Sequence, residues 1–285
     1  MTVIAHQLIT AEIDYMLSLI RPIQAMYGEA GGIATAHFGG AVALTMHENA
    51  DPLFNRVLGF CDGELPLLDD ILKWYADRHA ACRFDILSGV VSPPLLERLE
   101  EWGFFFHPVE MFLSTSPKPS FSRVEDGLEV RKLGQGEFDE FSSTFLAVYP
   151  QPPAAEEAMR TCLKAQYGQP EWHCYLACVA GTVAAFGAMY VHNGTAALIS
   201  AATLPQFRRR GCQTALLARR LADAAEIGCT LAWSHAACDS TSQRNMERQG
   251  MRPEAIKYRY ERSVNYPSDV TVCLLPPPAV GPIGP

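Results

Sequence analysis

Thr203–Gly228, TLPQFRRRGCQTALLARRLADAAEIG, is the stretch whose reading decides the fold. Leu204-Pro205 ends a strand over Ile199–Thr203, because proline brings no N–H to a sheet ladder. Arg208-Arg209-Arg210-Gly211-Cys212-Gln213-Thr214 then makes a short basic loop that runs straight into a helix. Leu217, Leu221 and Ala224/Ala225 recur at helical spacing, and Gly228 suits the left-handed residue that closes a helix. A strand, a glycine turn and a helix N-terminus in this order gather outward-pointing N–H groups at the positive end of a dipole, which is an anion site. The three arginines add charges that pair with phosphate oxygens.

Downstream, Thr230–His235 has strand character, Ser242–Met251 reads as a short helix closed by Gly250-Met251, and Ala255–Arg262 is again strand-like. Upstream, Leu128–Leu133 is a strand, Glu137–Val148 and Ala154–Tyr167 are helices separated by Pro150–Pro153, and Trp172–Val179 and Thr182–His192 are strands turning at Ala180-Gly181 and Asn193-Gly194.

This succession resembles the GNAT superfamily of acyl-CoA-dependent N-acyltransferases, and Ala201–Leu217 with Ser242–Met251 resembles a bacterial tandem-GNAT group. In the family's [Arg/Gln]-x-x-Gly-x-[Gly/Ala] loop, Arg208 stands at the basic position and Gly211 at the first glycine, while Gln213 replaces the small residue. The resemblance is strong over the last half of the chain and weak before it. It implies an α/β fold of two GNAT-like domains, each a mixed, mostly antiparallel sheet flanked by helices. It also implies that acetyl-CoA, or a related acyl-CoA, gives its acyl group directly to a small-molecule amine. Arg208 and the backbone of Arg209, Arg210, Gly211, Cys212, Gln213 and Thr214 would hold the pyrophosphate. Ala201, Ala202 and Thr203 would run beside the pantetheine and offer an N–H to the carbonyl. Ser242 and Asn245 would hydrogen-bond it, unless Ser242 is only a helix cap.

Acyl transfer also moves protons, and here the chain departs from the pattern. The tyrosine that often precedes the family's Gly-Phe by four residues is Met246, and its frequent glutamate base aligns with Ser234. His235 is either a base or a satisfied core histidine. Tyr258 and Tyr260 alternate on the last strand, as hydroxyl donors or as packing. Cys212 is either an activated thiol at a helix start or a core residue. Two rival functions stay open: a catalytically silent acyl-CoA-binding or regulatory protein, and an aminoacyl-tRNA-dependent transferase.

Composition narrows the classes further. The 285 residues, 48% of them hydrophobic, suit one large or two ordinary domains. A net charge of −8 disfavours nucleic acid, which asks for a basic footprint. No apolar run is expected to reach the roughly 20 residues of a bilayer span, so no membrane partner is expected. The acidic start lacks a secretory n-region, and nine irregularly spaced cysteines read as reduced thiols in the cytoplasm, with no metal site.

The first part repeats the order of the second. A helix at Ala11–Tyr27 and a strand pair around Gly39-Gly40 are followed by strand Arg56–Phe60, helix Leu67–Arg78, strand Arg83–Leu87, helix Pro94–Trp102 and Gly103-Phe104 opening a strand to Leu113. Where the second copy has RRRGCQ, the first has Cys61-Asp62-Gly63-Glu64-Leu65-Pro66, whose carboxylates repel a pyrophosphate. The expected organisation is a degenerate copy over 1–117 without a CoA loop, a linker over 118–127, the acyltransferase domain over 128–275 and a flexible tail over 276–285.

Overall fold

The computed structural model describes residues 3–28, 32–46, 54–118, 127–134 and 136–262. Most of the expected linker and all of the expected tail lie outside the described residues. The chain forms two compact units whose segments interleave. The first takes the chain up to Val109, Pro153–Met159 and the chain from Ile256, and the second takes Glu110–Pro152 and Arg160–Ala255. Strands β5 (Phe104–Thr115) and β11 (Arg252–Arg262) each give one end to either unit, so the compact units do not divide the chain at a single linker.

In the first unit, helix α1 (Val3–Tyr27) precedes the hairpin β1 (Ile33–Phe38) and β2 (Ala41–Met46), which turns at Gly39 with φ 62°. Then come β3 (Arg56–Leu58), a 3₁₀ turn over Asp62–Leu67, α2 (Leu68–Ala76), β4 (Arg83–Leu87) and α3 (Pro93–Glu101). The sheet runs β1-β2-β3-β4-β11. Only β3 and β4 are parallel, since α2 carries the chain back between them.

Helix α1 begins at Val3 rather than at Ala11, and its length and composition would suffice to cross a bilayer, which corrects the expectation of no such segment. Half of its apolar window is buried in the unit: Leu8, Ile20 and Ile23 are fully enclosed, and Glu12 pairs with Lys257 at 2.6 Å.

The second unit holds β6 (Leu128–Lys132), α4 (Phe138–Val148), all but the first turn of α5 (Glu156–Tyr167), β7 (Trp172–Val179), β8 (Thr182–His192), β9 (Thr195–Thr203), α6 (Cys212–Ile227), β10 (Leu231–Ala236) and α7 (Thr241–Arg248). Its sheet runs β5-β10-β9-β8-β7-β6, and α6 crosses between the parallel neighbours β9 and β10. One sheet face buries Leu113, Tyr175, Leu198 and Ala232 under Leu216, Leu217, Leu221 and Ala224 of α6. The other face sets Phe186 against Phe141 and Phe145 of α4. Each such large apolar side chain contributes about 1.5–3 kcal/mol on burial.

The two units share an order of elements and a device for ending the short helix. Gly103 and Gly250 are left-handed at φ 79° and 83°, and the next residues, Phe104 and Met251, are both buried.

Candidate active site

The parallel ladder of β9 and β10 stops at Trp233 and Ala197, so β9 continues from Leu198 to Thr203 past the last paired residue. Ser234, the next residue of β10, is 1% exposed and donates its hydroxyl to the Leu198 carbonyl. At the position where the resemblance placed a glutamate, the chain therefore has a buried donor that closes the apex of the gap.

Along the free part of β9 the register with β8 slips. Phe186 pairs with Ala202 and Ala188 with Ile199, which leaves Gly187 opposite both Ser200 and Ala201. Ser200 is left-handed at φ 50°, and its hydroxyl lies 2.7 Å from that of Tyr167. Arg220 on α6 is 2% exposed and satisfies the carbonyls that the bulge displaces. Its Nη1 donates to Ala188 O at 2.9 Å and Ile199 O at 3.2 Å, and its Nε donates to Leu216 O at 3.1 Å. Burial pushes the guanidinium down to about 10. Gly187 leaves room for it, because a Cβ there would stand 3.2 Å from Arg220 Cζ.

Past β9, a single 3₁₀ turn over Pro205–Phe207 leads into the arginine loop. Arg209 (φ 63°) and Gly211 (φ 72°) are both left-handed, with Arg210 between them, and Gly211 caps α6. The first hydrogen bond of the α6 ladder runs from Ala215 N–H to Gly211 O at 2.9 Å, so the preceding amides of this turn have no place in that ladder. Arg208, Arg209 and Arg210 are exposed and have no carboxylate partner among the described residues. Gln213 reaches back to Thr203, its Nε2 donating to Oγ1 at 3.1 Å, which ties the two ends of the loop together. Cys212 is 2% exposed in the apolar core. Exposed arginines, alternating left-handed residues and the N-terminus of a 16-residue helix fit a pyrophosphate.

The remaining sequence candidates are placed as follows. Ser240, not Ser242, caps α7 by accepting from Gln243 N–H at 3.1 Å, which corrects the capping alternative; Ser242 is exposed. Asn245 accepts from Arg248 at 2.9 Å, and Met246 packs on the core. His235 lies one residue beyond Ser234, with Nδ1 2.8 Å from Glu110 Oε1. Tyr258 and Tyr260 belong to the first unit, where both rings pack on Phe106. Sequence reasoning missed Glu110, Tyr167, Ser200 and Arg220. Only Arg220 carried a signal, as a charge within the apolar spacing of α6.

In the first unit the corresponding loop is occupied by its own carboxylates. Glu64 accepts from Gly40 N–H at 2.9 Å and Cys61 N–H at 3.3 Å, and Asp62 accepts from Ser92 N–H at 3.0 Å and its hydroxyl at 2.8 Å. They line a cleft of about 510 Å³. Burial, helped by Glu64 and Asp62, pushes the Cys61 thiol up to about 11, so it stays protonated at neutral pH.

A mixed sheet with one splayed parallel pair, a bulge on its free strand and a basic loop opening the crossover helix is the arrangement of the GNAT fold. Residues 137–251 match the model of the Acetyltransferase (GNAT) family. Solved structures of similar fold include a GCN5-related N-acetyltransferase from Kribbella flavida, 18% identical, covering 87% of this chain and 96% of its own at a TM-score of 0.61. Another from Sphaerobacter thermophilus is 15% identical, with coverage of 86% and 91% and a TM-score of 0.58. A tandem GNAT protein from the clavulanic acid biosynthesis pathway is 14% identical, with 79% of each chain covered and a TM-score of 0.59. At these identities the likeness is one of fold. No curated protein matches in sequence.

Proposed function

We propose that the chain is an N-acyltransferase, working in the cytoplasm, that moves the acyl group of acetyl-CoA or a related acyl-CoA directly onto an amine of a small molecule. The carrying observation is the arginine loop, with left-handed Arg209 and Gly211 at the start of α6. In this reading the amides of Arg209–Thr214 and the side chains of Arg208–Arg210 hold the pyrophosphate. Ala201–Thr203 line the pantetheine, with Ser242 and Asn245 within the same arm of the site. The bulged strand presents an N–H to the thioester carbonyl, where negative charge develops during attack. The thioester supplies an activated acyl carbon; the chain's own residues bind it, orient it and take up the acceptor's proton. The first unit is a degenerate copy whose loop binds Asp62 and Glu64 in place of a phosphate.

Calorimetric titration of acetyl-CoA into the wild type, Arg208→Glu and Gly211→Glu tests the reading. Both substitutions place a carboxylate at the anion loop, and Gly211→Glu also forces a side chain into φ 72°. We expect micromolar binding in the wild type and at least a tenfold loss in each variant. Equal affinities, or no binding by the wild type, would remove the basis of the proposal. Thiol release with a panel of primary amines then separates an enzyme from a silent binder.

A further inference from the structure

We propose that Glu110 and His235 together form the proton-accepting device of this site, with His235 Nε2 as the base and Glu110 as its positioning residue. The inference rests on the acyltransferase reading above and supplies what the sequence lacked, since Ser234 and Met246 cannot take or give the required protons.

Four observations carry it. His235 is the first residue of β10 after Ser234, beside the part of the sheet where β9 and β10 no longer pair. It pairs across the sheet with Phe112 of β5, whereas Ser234 pairs with Leu113, which lies in the core beneath α6. Strand alternation therefore puts the His235 ring on the opposite face, the one that carries α4. There Phe112 stacks on it at 5.4 Å and 26°, and Trp233 follows at 6.2 Å and 29°. The Glu110 carboxylate, one strand over, sits 2.8 Å from Nδ1. Stacking fixes the plane of the ring, and the carboxylate fixes its tautomer: with Nδ1–H donating to Glu110, Nε2 is left as an acceptor. Nε2 has no hydrogen-bond partner among the described residues, and the two side chains are 22% and 27% exposed, open enough to meet a substrate.

The chemistry balances without a further reagent. The acceptor's ammonium gives one proton to Nε2. Its nitrogen then bonds to the acyl carbon as the C–S bond breaks, the second N–H proton passes to the departing thiolate, and the imidazolium releases the first proton to water. Glu110 stabilises the transient imidazolium through its contact with Nδ1.

The test uses the full chain labelled with ¹⁵N-histidine, the His235 resonances being assigned with His235→Gln. The neutral ring is expected to carry its proton on Nδ1, with Nε2 bare, and to lose that preference in Glu110→Ala. In thiol-release assays with acetyl-CoA and a panel of primary amines, His235→Gln is expected to lower kcat at least 100-fold with KM for acetyl-CoA unchanged. Glu110→Gln is expected to lower kcat about tenfold. A wild-type ring protonated on Nε2, or wild-type kcat in His235→Gln, overturns the proposal. Absence of acetyl-CoA binding would instead sink the acyltransferase reading, and the tautomer would still decide whether Glu110 positions the ring.

Discussion

Asp85 has no exposed side-chain surface and faces three cations. Arg56 Nη1 lies 2.6 Å from its Oδ2, Arg259 Nε lies 2.9 Å from its Oδ1, and Lys257 acts from farther away. Burial alone would raise this carboxyl, yet the surrounding cations hold it well below the ordinary carboxylate range. A carboxyl depressed in the folded state stabilises fully above its unfolded value, about 3.9, and that contribution fades as pH falls below it. Urea unfolding of the wild type should therefore lose stability steeply below about pH 4. Asp85→Asn leaves the buried Arg56 and the half-buried Arg259 without their counter-charge and should cost about 3 kcal/mol at neutral pH. It should also flatten the acid limb. An unchanged acid limb in the variant would assign the pH dependence elsewhere.

Among the elements, α6 does more than cover the sheet. Its N-terminus faces the anion loop, its leucines fill the core, and Arg220 repairs the break in the β8–β9 ladder. The bulge needs that repair: a left-handed Ser200 and two displaced carbonyls would otherwise be strained and unsatisfied. Arg220→Met keeps the length of the side chain but leaves Ala188 O and Ile199 O without their donor. We expect a loss of about 2 kcal/mol in thermal or urea unfolding, at roughly 1–3 kcal/mol per unsatisfied group less the relieved burial of a charge. Acetyl-CoA affinity should fall in parallel, because the bulged strand lines the proposed site. Unchanged stability would show that water or relaxed backbone replaces the guanidinium.

For the whole molecule, a similar order of elements in the two units sits beside an asymmetry of charge. One loop carries three arginines with no carboxylate partner among the described residues; its counterpart carries Asp62 and Glu64, already bonded to neighbouring amides. Titration should therefore saturate at one acetyl-CoA per chain. Two equivalent sites would overturn the proposal that the first unit is a copy without nucleotide binding.

Much of the fold was legible because local rules were strong. Ala180-Gly181 and Asn193-Gly194 are left-handed pairs that join β7–β8 and β8–β9 as hairpins, as their sequences require. The helix ends at Gly228, Gly103 and Gly250 followed from the same backbone freedom. Less was legible where side chains act across elements. The true cap of α7 is Ser240, two residues before the serine that the sequence suggested, and α1 runs eight residues longer because tertiary burial extends a helix that periodicity alone had clipped.

By itself the sequence determined the order of strands and helices and the basic loop that opens α6, since turn chemistry, capping and periodicity act within a few residues. The tertiary structure alone decided that Arg220 meets the bulge, that Asp85 gathers its cations and that Glu110 stands beside His235. Those pairings join residues 21 to 174 positions apart, and only strand register and the packing of α6 on the sheet bring them within hydrogen-bond reach.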